Sequence, residues 1–130
     1  MYRWVDHTAE LELELEADRE QEIFAEALAA LSELLADGVG GEPERLEIEL
    51  RADDRAGLLA DWLDELVYLA DAKGFVPARV ADLVLDGSGL RATVEGNRGE
   101  PRQLVKAVTR HRLEFRRAEQ GWRARVVLDV

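Results

Sequence analysis

Between Leu11 and Ala17 leucine and glutamate alternate strictly. A period of two predicts a strand, with Leu11, Leu13 and Leu15 on a core face and the glutamates in water. Both residue types favour helix, but propensity is a weak prior against so regular an alternation. From Asp18 the period lengthens: Ile23, Phe24, Ala27, Leu28, Leu31, Leu34 and Leu35 recur at helical spacing, with Asp18 as the expected cap, Gln21 at the capping-box distance and Gly38 as the stop. Gly38, Gly40 and Gly41 with Pro43 predict a loop, after which Leu46, Ile48 and Leu50 alternate with Arg45, Glu47, Glu49 and Arg51 as a second strand. Asp53 or Asp54 then caps a second helix carrying Leu58, Leu59, Trp62, Leu63, Leu66, Val67 and Leu69 and closing near Gly74.

Beyond Pro77 the period returns to two. Val80 to Leu85 and Leu90 to Val94 predict a hairpin across Asp86-Gly87-Ser88-Gly89, and Glu95 to Arg102 reads as a loop. Val105 to Phe115 and Trp122 to Val130 predict a last hairpin across Glu119-Gln120-Gly121. The order is βαβα followed by four strands, which predicts a single α+β domain over residues 1–130 with two helices packed on one face of a mixed sheet.

Composition narrows the chemistry. A chain of 130 residues can bury roughly two thirds of its unfolded surface, so it needs no staple, and it has no cysteine to form one. Thiol nucleophiles and thiolate-bound metals are excluded, and a reducing, cytoplasmic setting is expected. No apolar run reaches membrane-spanning length and the opening residues lack the apolar core of a signal peptide, so neither a membrane span nor signal-peptide export is expected. Acidic residues outnumber basic ones 28 to 17, for a formal charge of −11, which disfavours tight binding to nucleic acid. Positive charge does gather late in the chain, at Lys106, Arg110, His111, Arg112, Arg116, Arg117, Arg123 and Arg125. These are read as solvent-facing strand residues that balance the acidic first half.

With serine only at Ser32 and Ser88 and only two histidines, a Ser-His-Asp triad has no material, and no glycine motif sits where a phosphate loop needs it. The ligands present suit a hard cation such as calcium or magnesium better than zinc. Two short segments carry the remaining interest: Asp6-His7-Thr8-Ala9-Glu10 and Leu128-Asp129-Val130. Extending the alternation places Glu10 and Asp129 away from the core. If the first and last strands are neighbours, these carboxylates and that of Val130 converge, and their repulsion calls for a cation or an arginine. On the other reading, Asp6 or Thr8 makes a turn hydrogen bond and the last residues end in solvent.

At these residues the sequence resembles the archease family, small proteins that assist the RtcB-type RNA ligase in joining tRNA exon halves during splicing and other RNA ends. The resemblance runs nearly end to end, through Trp4, the Asp6–Glu10 opening, Val105-Lys106-Ala107-Val108-Thr109-Arg110-His111, and Gly121 to Val130. It implies a non-catalytic factor that promotes ligase guanylylation and turnover. It also implies a divalent cation, calcium, held by Glu10, Asp129 and Val130, with Asp6, His7, Lys106 and His111 as candidate partner contacts. The family usually has Asp at Glu10 and Tyr at Arg110; the extra methylene of Glu10 changes reach and denticity. Surface placement in a strand accounts equally well for Lys106. His111 is read as a structural hydrogen-bonding group rather than a ligand, because one histidine beside arginines is a poor cation site. Trp4, Trp62 and Trp122 are read as core or rim aromatics. Two other readings stay open: a small metal-dependent hydrolase with Glu10 as base and His7 as acid, and a chaperone-like structural module.

Overall fold

The computed structural model describes residues 1–36, 41–102 and 105–130. Tyr2–His7 is already a strand, β1, folded onto β2 (Glu10–Ala17) through the two-residue turn Thr8-Ala9. Tyr2 opposes Leu15 and Trp4 opposes Leu13, so both aromatics join the core face, while Arg3 opposes Glu14 on the other face. The Tyr2 hydroxyl also donates to Glu33 and is held up at a pKa of about 12 by that carboxylate. The sequence pattern misses β1 because two aromatics in six residues give too short an alternation to stand out. The elements that follow are α1 (Glu20–Leu35), β3 (Pro43–Arg51), α2 (Arg55–Lys73), β4 (Phe75–Leu85), β5 (Gly89–Arg98), β6 (Ala107–Arg117) and β7 (Trp122–Asp129).

The helices carry different ends. Arg19, not Asp18, is the cap residue of α1 and makes no side-chain cap, so the capping box does not form. Glu20 and Glu22 in the first turn instead place negative charge at the positive end of the helix dipole. The expected stop at Gly38 lies outside the described residues. In α2 the Asp54 carboxylate accepts from the Gly57 amide at 2.7 Å, and Gly74 closes the helix with a φ of +68°. Asp54→Ala should therefore cost about 1 kcal/mol, read as a lower urea midpoint.

The α+β class and the two helices stand as expected, but the single mixed sheet does not. The described residues form two sheets, β1-β2-β7-β6 and β3-β5-β4, and every hydrogen-bonded pair in them is antiparallel. The unit β3-α2-β4 is a crossover whose strands never meet, because β5 lies between them. Both helices pack against both sheets: α1 against β2 and β4, α2 against β6 and β4. β5 also runs through the stretch that reads as a loop, as far as Arg98. Gly96 is the reason. A Cβ there would fall 2.3 Å from the Val76 carbonyl oxygen, so the glycine lets β5 lie close against β4 instead of breaking the strand.

The core is one contiguous cluster centred on α1 and α2. Trp62 is fully buried, packs edge-on to Phe24 with centroids 6.4 Å apart, and donates its indole N–H to the Phe24 carbonyl at 3.0 Å. Phe115 and Trp122 continue the aromatic contacts outward, with the Arg117 guanidinium 5.3 Å above the Trp122 ring. Trp4 and Trp122 are half-buried at the rim. Among the described residues no helix is long and apolar enough to cross a membrane.

Candidate functional site

The topology settles the adjacency on which the acidic segments depend. β7 lies beside β2, and Glu10 is the register partner of Asp129, with His7 opposite Glu10 in β1 and Ala107 opposite Asp129 in β6. Directly opposed residues of an antiparallel pair share a face and bring their Cβ atoms to roughly 4.5–5.5 Å. Leu128, one step on, is fully buried in the core opposite Leu11. Both carboxylates are therefore on the outer face, half-exposed, at one end of the four-stranded sheet.

Two backbone contacts pin this end. The Val130 amide donates to the Ala9 carbonyl at 3.3 Å, and the Lys106 amide donates to the Asp129 carbonyl at 2.8 Å. Ala9 itself has a φ of +60°, which tightens the turn that brings Glu10 back alongside. The last strand is thus held between the β1–β2 turn and the start of β6. Among the described residues no three His, Cys, Asp or Glu side chains lie close enough to hold a metal ion. Glu10 and Asp129 are two donors, and a third would have to come from the carboxylate of Val130. An all-oxygen, negatively charged donor set of this kind fits a hard cation.

The other candidates divide between the two flanks. Asp6 and His7 are exposed at the end of β1, with the His7 imidazole Nε2 3.5 Å from Glu12 Oε1. Lys106 is exposed just before β6. His111 is exposed too, and its amide, not its ring, makes the structural hydrogen bond, to Thr109 Oγ1 at 2.8 Å. Arg110 reaches back to α2, donating to Asp61 Oδ1 at 2.7 Å.

Four of the late arginines pair with acids on the same surface. Arg112 pairs with Glu12 at 2.6 Å, Arg123 with Glu16 at 3.0 Å, Arg125 with Glu114 at 2.9 Å and Arg116 with Glu114. This is an interleaved ladder of both signs and not a uniform basic face. Glu12 is the residue that sequence reasoning missed: alternation assigns it to water, yet it is buried beneath Arg112. Nothing in the local pattern announces a long-range cover supplied from a strand a hundred residues on.

Comparison with known proteins finds likeness along nearly the whole chain. The model of the Archease protein family matches residues 2–130. Protein archease of Pyrobaculum neutrophilum is 34% identical over 139 residues, covering 99% of this chain and 95% of its own length. Protein archease of Methanopyrus kandleri is 32% identical, covering 97% and 96%. The solution structure of Methanobacterium thermoautotrophicum protein 1598 superposes with a TM-score of 0.72 at 30% identity, over 99% of this chain and 98% of that one. A Thermotoga maritima crystal structure described as an archease, possible chaperone, shares the fold with a TM-score of 0.72 at 24% identity, over 100% and 98%. The fold, the family model and these likenesses make the chain a member of the archease family.

Proposed function

We propose that the protein is a non-catalytic activator of an RtcB-type RNA ligase in tRNA splicing and RNA repair, promoting ligase guanylylation and turnover through the acidic tip at Glu10, Asp129 and Val130. The observation that carries this reading is the Glu10–Asp129 register, with Val130 tied to Ala9. It gathers the acids on paired strands, and the partner-contact candidates Asp6, His7, Lys106 and His111 are exposed. Calcium, held by these carboxylates, would supply a compact positive charge between them. The chain's own residues do the rest: the strand pair fixes the spacing of the carboxylates, and the Ala9 carbonyl fixes Val130. A hydrolase built on Glu10 and His7 draws no comparable support, because the His7 ring lies against Glu12.

The test is transfer of label from GTP to a purified ligase with and without this protein. Faster labelling supports activation; an unchanged rate sinks it. Direct RNA binding should be weak, since the chain carries a formal charge of −11 and Arg112, Arg116, Arg123 and Arg125 are paired with Glu12, Glu16 and Glu114. Filter binding at physiological salt is expected to give no submicromolar affinity. Tight, steeply salt-dependent retention would instead make the β6–β7 hairpin an RNA-binding face.

A further inference from the structure

Glu12 lies two residues beyond Glu10 on the same face of β2, yet it is only 5% exposed. Its Oε1 is buried and takes no hydrogen bond of good geometry. Two side chains approach it nonetheless, Nη2 of Arg112 at 2.6 Å and, from the other side, Nε2 of His7 at 3.5 Å. The Arg112 contact is close but off-axis, an ion pair without a hydrogen bond's direction. Glu12 and Arg112 are not on neighbouring strands, since β7 runs between β2 and β6. Val127, the register partner of Glu12, is 1% exposed although it alternates with the core residues Val126 and Leu128. The pair spans β7 over Val127, which accounts for a buried valine on the open face.

Arg112 reaches this position through an unusual backbone. Its φ is +59°, a conformation disfavoured for any residue with a Cβ. It sits in the irregular stretch of β6 between Thr109 and Glu114, its carbonyl accepts from Arg125 Nε at 3.0 Å, and the adjacent His111 amide is tied to Thr109. Such bulges re-aim side chains; this one sends Arg112 across the sheet. A buried carboxylate persists only when it is paired, so the strained turn and the buried acid maintain each other.

We infer that Glu12 is a positioning residue that ties together the two flanks of the acidic tip, the Asp6–Ala9 turn through His7 and the β6 bulge with His111 through Arg112. Arg112 also sets a fixed positive charge on the face that carries Glu10 and Asp129, which lowers their mutual repulsion. The structural part of this inference stands without the ligase; its functional part rests on the role proposed for the tip.

The test uses Arg112→Gly and Glu12→Gln, singly and combined, in the full chain. Glycine relieves a left-handed backbone, so an idle Arg112 side chain would let Arg112→Gly raise Tm in either background. The expected result is a change of sign: Arg112→Gly lowers Tm when Glu12 is present, by stranding a buried carboxylate, and raises it in the Glu12→Gln background. In Glu12→Gln alone, which keeps the side chain's shape, amide hydrogen exchange at His7 and His111 should accelerate on the order of tenfold more than at Leu63 in the core. The same sign in both backgrounds, or no excess acceleration at His111, would overturn the inference. Glu12→Gln should also raise the concentration needed for half-maximal ligase activation about fivefold, the scale of a lost positioning contact, with the maximum unchanged. Should wild-type protein activate no ligase, the functional reading fails while Tm and exchange still decide the role of Glu12.

Discussion

Asp129→Asn, or residues added after Val130, should reduce ligase activation by about tenfold or more, the order seen when the support of a bound metal is weakened. The Asn variant removes one of the two opposed carboxylates in the Glu10–Asp129 pair. An extension turns the carboxylate of Val130 into a neutral amide carbonyl, keeping one oxygen and losing the charge. Neither change removes a core side chain: Asp129 faces outward beside the fully buried Leu128, and an extension keeps the Val130 side chain that packs against the core. The same length added before Met1 should have little effect, since β1 begins at the opposite end of the sheet, where Tyr2 meets Leu15. Glu10→Asp restores the shorter acid usual in the family and should preserve or raise activity. RNA-joining rates, alongside circular dichroism to confirm folding, read all four proteins. Full activity in a folded, C-terminally extended protein would remove Val130 from the site.

Trp62→Ala should be the most destabilising single substitution in the core, by about 3–5 kcal/mol. The side chain is fully buried between the helices and packs edge-on to Phe24. Its loss leaves a large cavity between layers that cannot collapse without moving α1 against both sheets. Domains of this size are stable by only about 5–15 kcal/mol, so this loss is from about a fifth to all of the total. Trp62→Phe separates the contributions: it keeps most of the volume, loses the bond to the Phe24 carbonyl, and should cost less than the alanine variant. Guanidinium unfolding followed by far-ultraviolet circular dichroism measures both.

The elements with long, regular periods were legible in the sequence, and the ones shaped by distant partners were not. Leu11 to Ala17, both helices and the β4–β5 turn follow from spacing, and α2 from its caps as well, whereas the cap expected for α1 at Asp18 does not form. β1 was hidden because its strand character comes from pairing with β2. Gly96 reads as a loop signal, yet its missing side chain is what admits the Val76 carbonyl, a close approach that exists only once β4 is in place. The split into two antiparallel sheets was hidden for a similar reason: the two β-α units suggest parallel neighbours, and only the insertion of β5 between β3 and β4 separates them. In the tip, alternation correctly put Glu10 and Asp129 on one side of their strands, and the β2–β7 pairing made them opposite one another. The same alternation placed Glu12 in water, because no local rule foresees an arginine in a left-handed turn reaching over an intervening strand.

Turnover of the ligase tests the central claim most directly. A purified RtcB-type ligase, limiting over its RNA ends and supplied with GTP and divalent cation, would be followed with and without this protein. The account predicts that product stalls near one joining event per ligase in its absence and rises well beyond one in its presence, with Asp129→Asn failing to restore the rise. Equal product per ligase with and without the wild-type protein would contradict it.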